Sequence, residues 1–296
     1  MASGSVTTER PPHKRHPWLK IVALLAAPVG WMSLFYLIPI GTLLIHAFWS
    51  VKYPDIDHTL TLNNFETFVT RDVYARILLR TVLMAVAVTL ADVLLAFPLA
   101  FWIAKRVKRN RELLLFLVIF PLWSSYLVRI FAWKTLLGTN GIINSFLAWT
   151  GLIETPLSFF LYSKWSIFLA LTHVWLPFMV LPLFTVIDRI PGSLLEASTD
   201  LGANWFATFR TVVLPLCRPG LLAGGLATFS LTMGDYIAPT LLGGPGDQMI
   251  GRIVADQFGV ADNWPLGAML IIPVLVMVSL LLVLSSRGGA MERTAL

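Results

Sequence analysis

Between residues 21 and 48 the chain runs without one Asp, Glu, Lys or Arg. A helix needs about 20 apolar residues to cross roughly 30 Å of hydrocarbon. A secretory signal core is only about 7–15 residues long, so this stretch reads as an uncleaved anchor. Five more stretches share its character, at about residues 81–104, 113–136, 165–187, 219–242 and 266–286. Asp92 lies in the second, Arg129 and Lys134 late in the third, His173 in the fourth and Asp235 in the fifth. The chain is 57% hydrophobic and 13% charged, against about 45–50% and 25% in soluble domains. That balance excludes a disordered chain, a collagen-like fibre and an ordinary soluble enzyme. Cys217 is the single cysteine, which excludes a disulfide framework and a multi-cysteine metal site. The expected fold is an all-α membrane protein of six transmembrane helices.

Charge orients it. The formal net charge is +6, and the cations cluster. Arg10, Lys14, Arg15 and Lys20 precede span one, and Lys105, Arg106, Lys108, Arg109 and Arg111 follow span two. Arg189, Arg210 and Arg218 follow span four, and Arg287 and Arg293 close the chain. The opposite loops hold acids, including Asp55, Asp57, Glu66, Asp72, Glu154, Asp247, Asp256 and Asp262. The positive-inside rule then puts both termini in the cytoplasm. The expected organisation is a cytoplasmic tail over residues 1–20, rich in proline and without order, a six-span domain over 21–287, and a cytoplasmic tail over 288–296. On the outer side, the residues before span two suggest strand or loop and then a short helix from about Asp72. The run Gly243, Gly244, Pro245, Gly246 suggests a turn, with a helix resuming near Met249.

The segment between spans four and five, residues 188–218, is long and patterned. Pro191-Gly192 ends span four. Ser193 and Glu196 have capping-box spacing. A short helix then stops at Gly202, suited to a left-handed C-terminal cap. Asn204 starts a second short helix carrying Trp205, Phe206, Phe209, Val212 and Val213, with Pro215 as its expected end. Two readings stand for this two-helix elbow. It lies in the headgroups as an interfacial amphipathic helix, or it is a stiff knob that a cytoplasmic partner grips.

The residues themselves carry a resemblance. Glu196-Ala197-Ser198, then Gly202 after three residues, Val212 after nine more, and Leu214-Pro215 resemble the EAA signature of the membrane subunits of binding-protein-dependent ABC importers, EAA-x3-G-x9-I-x-L-P. Ser198 stands where the family has alanine and Val212 where it has isoleucine. Two further stretches, SSYLVRIFAWKTLLGTNGIINSFL from Ser124 and GDYIAPTLLGGPGDQMIGRIVADQFGVADNWPLG from Gly234, resemble the spermidine/putrescine branch. The likeness spans nearly all of residues 20–290. It implies a type I importer permease in the bacterial cytoplasmic (inner) membrane, with a second homologous permease as partner. It also implies two copies of a cytoplasmic ABC ATPase that bind the elbow, and a periplasmic or lipid-anchored substrate-binding protein. Glu196 would make a charge contact with the ATPase, Ala197 and Leu201 would be contact positions, and Gly202 would permit the bend. No nucleic-acid partner is implied.

No Walker A loop is present. Lys134-Thr135 follows Trp133 with no glycine loop before it, so ATP chemistry is expected in a partner and no cofactor in this chain. His13, His16, His46, His58 and His173 are scattered without metal-ligand spacing. Ionisable groups within a bilayer are functional by default. Asp235, next to Tyr236, is a candidate path residue for an organic cation through charge and cation–π attraction. It is equally a candidate for neutralising Arg129 or capping a broken helix. Asp92 has Thr89 or the partner permease as candidate partners. Arg129 either gates or snorkels to the headgroups. Gly224-Gly225 reads as a packing seam. Two rival classes remain: a secondary transporter, which usually shows internal repeats with broken helices, and a membrane enzyme, which needs converging catalytic groups. Within the importer class, a different small solute is the alternative to a polyamine.

Overall fold

The computed structural model describes residues 17–52, 55–157 and 160–293, and its contacts divide at residue 46 into two units. The expected unstructured stretch before residue 17 and the last three residues lie outside the described residues.

The first unit is one apolar helix in three pieces. Helix α1 (Pro17–Met32) passes through a π turn (Ser33–Leu37) into α2 (Ile38–His46). The π turn ends two residues before Pro39. A proline lacks an N–H and its ring crowds the carbonyl four residues back. Widening the preceding turn relieves that crowding, so the helix continues where a proline would otherwise break it.

The second unit opens with a hairpin that the all-α expectation did not include. Strands β1 (Ser50–Lys52) and β2 (Asp55–Asp57) pair antiparallel with Val51 opposite Ile56. Lys52 Nζ meets Asp57 Oδ2 at 2.6 Å. That bond, with the backbone N–H of Thr59, holds the Asp57 carboxyl down at about 2. Helix α3 (Asn63–Thr70) follows, and Asn64 donates to the carbonyls of Ala47 and Trp49 at 3.0 and 2.8 Å.

Helix α4 (Asp72–Lys105) carries span two. It starts nine residues ahead of the expected edge because Tyr74 and Ile77 extend its buried stripe. Span three is not straight. Helix α5 (Arg111–Ile119) ends in a 3-10 turn (Phe120–Trp123), and after Ser124-Ser125 the chain departs as α6 (Tyr126–Leu137), at 93° to the first piece. Pro121 lies inside that turn, and the Ser124 hydroxyl donates to the Pro121 carbonyl at 2.7 Å, satisfying a group the break exposes. Helix α7 (Ile142–Trp149) leads to α8 (Lys164–Asp188), which is span four. Ser163 and Ser166 cap it reciprocally.

The elbow comprises α9 (Gly192–Asp200) and α10 (Trp205–Thr208). A second π turn (Phe209–Val213) then joins α10 to α11 (Leu214–Met233). Pro215 therefore does not end the second short helix. It sits two residues after a π turn, as Pro39 does, and Trp205–Met233 is one helix of 29 residues. Helices α12 (Ile237–Leu242), α13 (Ile250–Phe258) and α14 (Trp264–Arg293) complete the unit. Helix α14 runs past residue 287, the expected edge of the C-terminal tail. Among the described residues, five helices are long and apolar enough to cross a membrane, or six if the bent pair counts as one.

The core is the seam between α4, α8 and α11. Ala85, Val88, Ala96 and Ala100 recur along one face of α4 at helical spacing, all fully buried. Helices associate in lipid chiefly through close packing, and two glycines of α11 set that distance. A Cβ on Gly220 would lie 2.9 Å from the Pro182 carbonyl oxygen, and one on Gly224 would lie 2.7 Å from Met179 Sδ. Gly225, paired with Gly224 in the expected seam, has room to spare: its Cβ would lie 3.6 Å from Thr89.

Candidate functional site

The elbow is built around Gly202. Its φ of +81° is the left-handed conformation that glycine adopts without strain. The N–H of Gly202 bonds the Thr199 carbonyl, and that of Ala203 bonds the Ser198 carbonyl, which is the Schellman pattern. The Asn204 side chain then accepts from Ala207 N at 2.8 Å and starts α10. Both features follow the sequence reading. The capping box does not. Helix α9 starts at Gly192 with Pro191 at its N-cap and no side-chain cap, so Ser193 is already inside the first turn. That leaves Glu196 with its carboxylate free of capping and exposed.

Ser198 explains its own departure from the EAA pattern. It is buried, and its hydroxyl lies 2.7 Å from the Thr208 hydroxyl, a side-chain bridge between the two short helices. Alanine at this position could not make it. Val213 and Cys217 anchor the elbow in a cluster with Ile187 and Ile190, and Phe97 meets Phe209 edge-on at 5.2 Å. Lys105 secures its root by donating to the carbonyls of Asp188 and Ile190 at 3.3 and 2.5 Å, and Arg111 pairs with the Asp188 carboxylate. Sequence reasoning used Lys105 and Arg111 only for orientation. The carbonyls that Lys105 meets lie 83 and 85 positions further along the chain, so no local spacing marks the contact.

The outer face of the elbow is bare. Leu201 is 89% exposed, Trp205 69% and Phe206 64%. Glu196 and Ala197 are exposed beside them, while Val212, Leu214 and Pro215 are half-buried at the joint with α11.

From the elbow, the helix of 29 residues reaches about 43 Å at 1.5 Å per residue. It stops at Gly234-Asp235. Asp235 is 5% exposed. Its Oδ1 accepts from the backbone N–H groups of Ile237 and Ala238 at 2.8 and 3.1 Å, capping α12. Its Oδ2 accepts from the Tyr126 hydroxyl. Tyr126 in turn stacks on Trp175 with ring centroids 5.2 Å apart. The Arg129 guanidinium lies 5.7 Å above the Tyr126 ring, and its Nη1 is 3.4 Å from the Val174 carbonyl. Arg129 thus reaches Asp235 through Tyr126, and it sits beside the middle of α8. Trp133 adds a bond from its indole to His173 at 3.2 Å. Tyr236, 50% exposed, is the aromatic beside this junction that remains open. Tyr126 is the residue sequence reading missed. Its one cue was its position just after the Ser124-Ser125 break, at the start of a helix.

Asp92 stands apart from this junction. It is fully buried on α4, and both carboxylate oxygens lack a hydrogen-bond partner. Thr89 bonds its own helix at Ala85 instead. On α8 and α11, Trp175 Nε1 and Thr228 Oγ1 are likewise buried without partners.

Residues 96–293 match the family described as the binding-protein-dependent transport system inner membrane component. The chain is 38% identical over 291 residues to the inner membrane ABC transporter permease protein YdcU of Escherichia coli, covering 94% of this chain and 92% of that one. It is 35% identical over 262 residues to the spermidine/putrescine transport system permease protein PotB of the same organism, covering 88% and 94%. Among solved structures, a bacterial alginate ABC transporter in complex with an alginate-bound periplasmic protein shares the fold, with a TM-score of 0.70 at 17% identity over 92% of this chain and 93% of the other. The elbow, the apolar helices and these likenesses agree, and the chain belongs to the binding-protein-dependent ABC importer permeases, as a multi-pass subunit of the inner membrane.

Proposed function

We propose that this permease forms half of the translocation path for polyamines such as spermidine and putrescine. In this reading the elbow and both termini face the cytoplasm, and two ABC ATPase copies grip this elbow and that of a second, homologous permease. A periplasmic or lipid-anchored binding protein delivers solute to the opposite face. The single observation that carries the coupling role is the bare apolar tip, Leu201, Trp205 and Phe206, on an otherwise braced elbow. Such a tip suits burial in a protein cleft. Glu196 and Ala197 flank it as contact positions, and hydrolysis belongs to the ATPase.

The 35% identity to spermidine/putrescine permeases supports the substrate. The junction suggests how a polycation passes. Asp235 already satisfies three donors, so it would act as a positioning residue. The exposed Tyr236 would offer a cation–π contact of about 0.5–1 kcal/mol, weak enough to release its guest. Arg129 favours a second reading, an anionic solute, because its Nε is buried without a partner.

Uptake into proteoliposomes holding the assembled importer tests both readings. Labelled spermidine is expected to accumulate with ATP, and Leu201→Asp is expected to abolish both uptake and ATPase retention. Retention and uptake unchanged in Leu201→Asp would remove the coupling role. Transport of an oxyanion in place of spermidine would remove the polyamine alone.

A further inference from the structure

A groove of about 720 Å³ opens on the side of the second unit at the end away from the elbow. Its wall is one face of α4. Leu83, Leu90 and Leu94 line it with their side chains exposed, and Ala87 and Ala91 form a shallow floor between them. Its rim is charged. Arg80, Lys164 and Asp247 meet there, with Trp165 beside them. Arg80 Nη1 donates to the Gly246 carbonyl at 2.6 Å, which fixes the guanidinium at the mouth while its remaining N–H groups stay available.

We infer that this groove holds one phosphatidylethanolamine molecule, its phosphate between Arg80 and Lys164, its ammonium on Asp247 and an acyl chain along Leu83–Leu94. Three observations support that occupant. The rim carries both signs, two cations and one carboxylate, as a zwitterionic headgroup requires. An anionic headgroup without an amine would leave Asp247 facing phosphate, and a choline headgroup lacks N–H donors for its carboxylate. The wall from Arg80 to Leu94 comprises 15 residues, or about 21 Å of helix from first to last, enough to take a chain through its leaflet of about 15 Å. Trp165 stands at the rim, at the headgroup level that tryptophan prefers. The small floor residues keep the groove open, since a larger side chain at either alanine would fill it.

The test reads lipid and not transport, so it is independent of the substrate and of the ATPase. The assembled importer is purified from membranes containing phosphatidylethanolamine and phosphatidylglycerol, and the retained phospholipid is identified by mass spectrometry. Wild type is expected to retain phosphatidylethanolamine above its membrane fraction. Ala91→Phe is expected to lose that excess, and Lys164→Glu to reduce it severalfold while the complex stays assembled. Equal retention in wild type and Ala91→Phe would overturn the inference, as would preference for phosphatidylglycerol. A third overturning result is efficient disulfide cross-linking from Leu90→Cys to cysteines placed in residues 24–46 or in the partner permease, because a protein helix would then cover the groove.

Discussion

Asp235 offers the sharpest separation of a structural role from a substrate role. Its side chain accepts two backbone N–H bonds and one tyrosine hydroxyl, all within a site that is 5% exposed. Asp235→Ala leaves three buried donors without an acceptor. Each orphaned group costs about 1–3 kcal/mol, so with partial relaxation the loss is about 3–6 kcal/mol. Asp235→Asn keeps Oδ1 as the cap of α12 and turns an amide towards Tyr126, whose hydroxyl can accept as well as donate. Its cost is about 1 kcal/mol. Tyr126→Phe falls between them, because it removes one donor and leaves one carboxylate oxygen bare. Thermal unfolding of the assembled complex in one detergent is the assay. The expected order of midpoints is wild type, then Asp235→Asn, then Tyr126→Phe, then Asp235→Ala, with uptake following the same order. If Asp235→Asn and Asp235→Ala kept the wild-type midpoint and both lost uptake, the cap would be irrelevant and the carboxylate would be a solute ligand.

The other predictions are narrower. Gly220→Ala brings a methyl group to 2.9 Å from the Pro182 carbonyl oxygen and is expected to destabilise by about 1–3 kcal/mol. Gly225→Ala, with 3.6 Å of clearance, is expected to leave the unfolding midpoint unchanged. Gly202→Val places a β-branched residue at φ +81°, costs about 1–2 kcal/mol, and should cut ATPase co-purification more than it lowers the midpoint. Asp92→Leu removes a buried carboxylate that has no donor and is expected to raise the midpoint, by about 1–3 kcal/mol of stability. Unchanged uptake in that variant would mark Asp92 as idle, and lost uptake would mark it as needed for transport. The Lys52–Asp57 pair has its carboxyl depressed to about 2. Its contribution is complete above the unfolded value near 3.9 and disappears as pH falls towards 2, so amide protection factors in the hairpin, corrected for the intrinsic exchange rate at each pH, should match at pH 7 and pH 5.

How far the sequence carried depends on the range of the interaction. Apolar runs located the five long apolar helices and the bent pair, because one solvent dictates them residue by residue. Gly202 and Asn204 were legible because a left-handed cap and an Asx cap are local chemistry. Where two local signals competed, the reading failed. Ser193 had capping-box spacing, yet Pro191, two residues earlier, took the N-cap. Pro215 read as a helix end, yet a π turn before it absorbed the clash. The pattern at Pro39 shows that this is a repeated solution and not an accident of the elbow. Long-range partners left no trace in spacing. Nothing near Asp235 pointed to Tyr126, which lies 109 positions earlier, and nothing near Ser198 singled out Thr208 from the other hydroxyls of the elbow. The strand-or-loop reading before span two stayed open because three-residue strands are too short for alternation to register.

The unbroken helix from elbow to junction changes how force would travel. A hinge at Pro215 would let the elbow swivel while the membrane helices stayed still. The π turn removes that hinge, and Val213, Cys217 and Phe209 lock the joint against α8 and α4. Lys105 ties the same end of α4 to the last carbonyls of α8. A push on the elbow therefore moves α11 as a rod, together with the ends of its two neighbours. The first place the rod can yield is Gly234-Asp235, where the helix stops and Asp235 holds α12 and Tyr126 at once. Helix α6 hangs on that tyrosine and on its stack with Trp175. Displacement at one end must then either carry α6 and α12 along or break the Asp235–Tyr126 bond. In the second case alone the open aromatic Tyr236 moves relative to Arg129, which rides on α6.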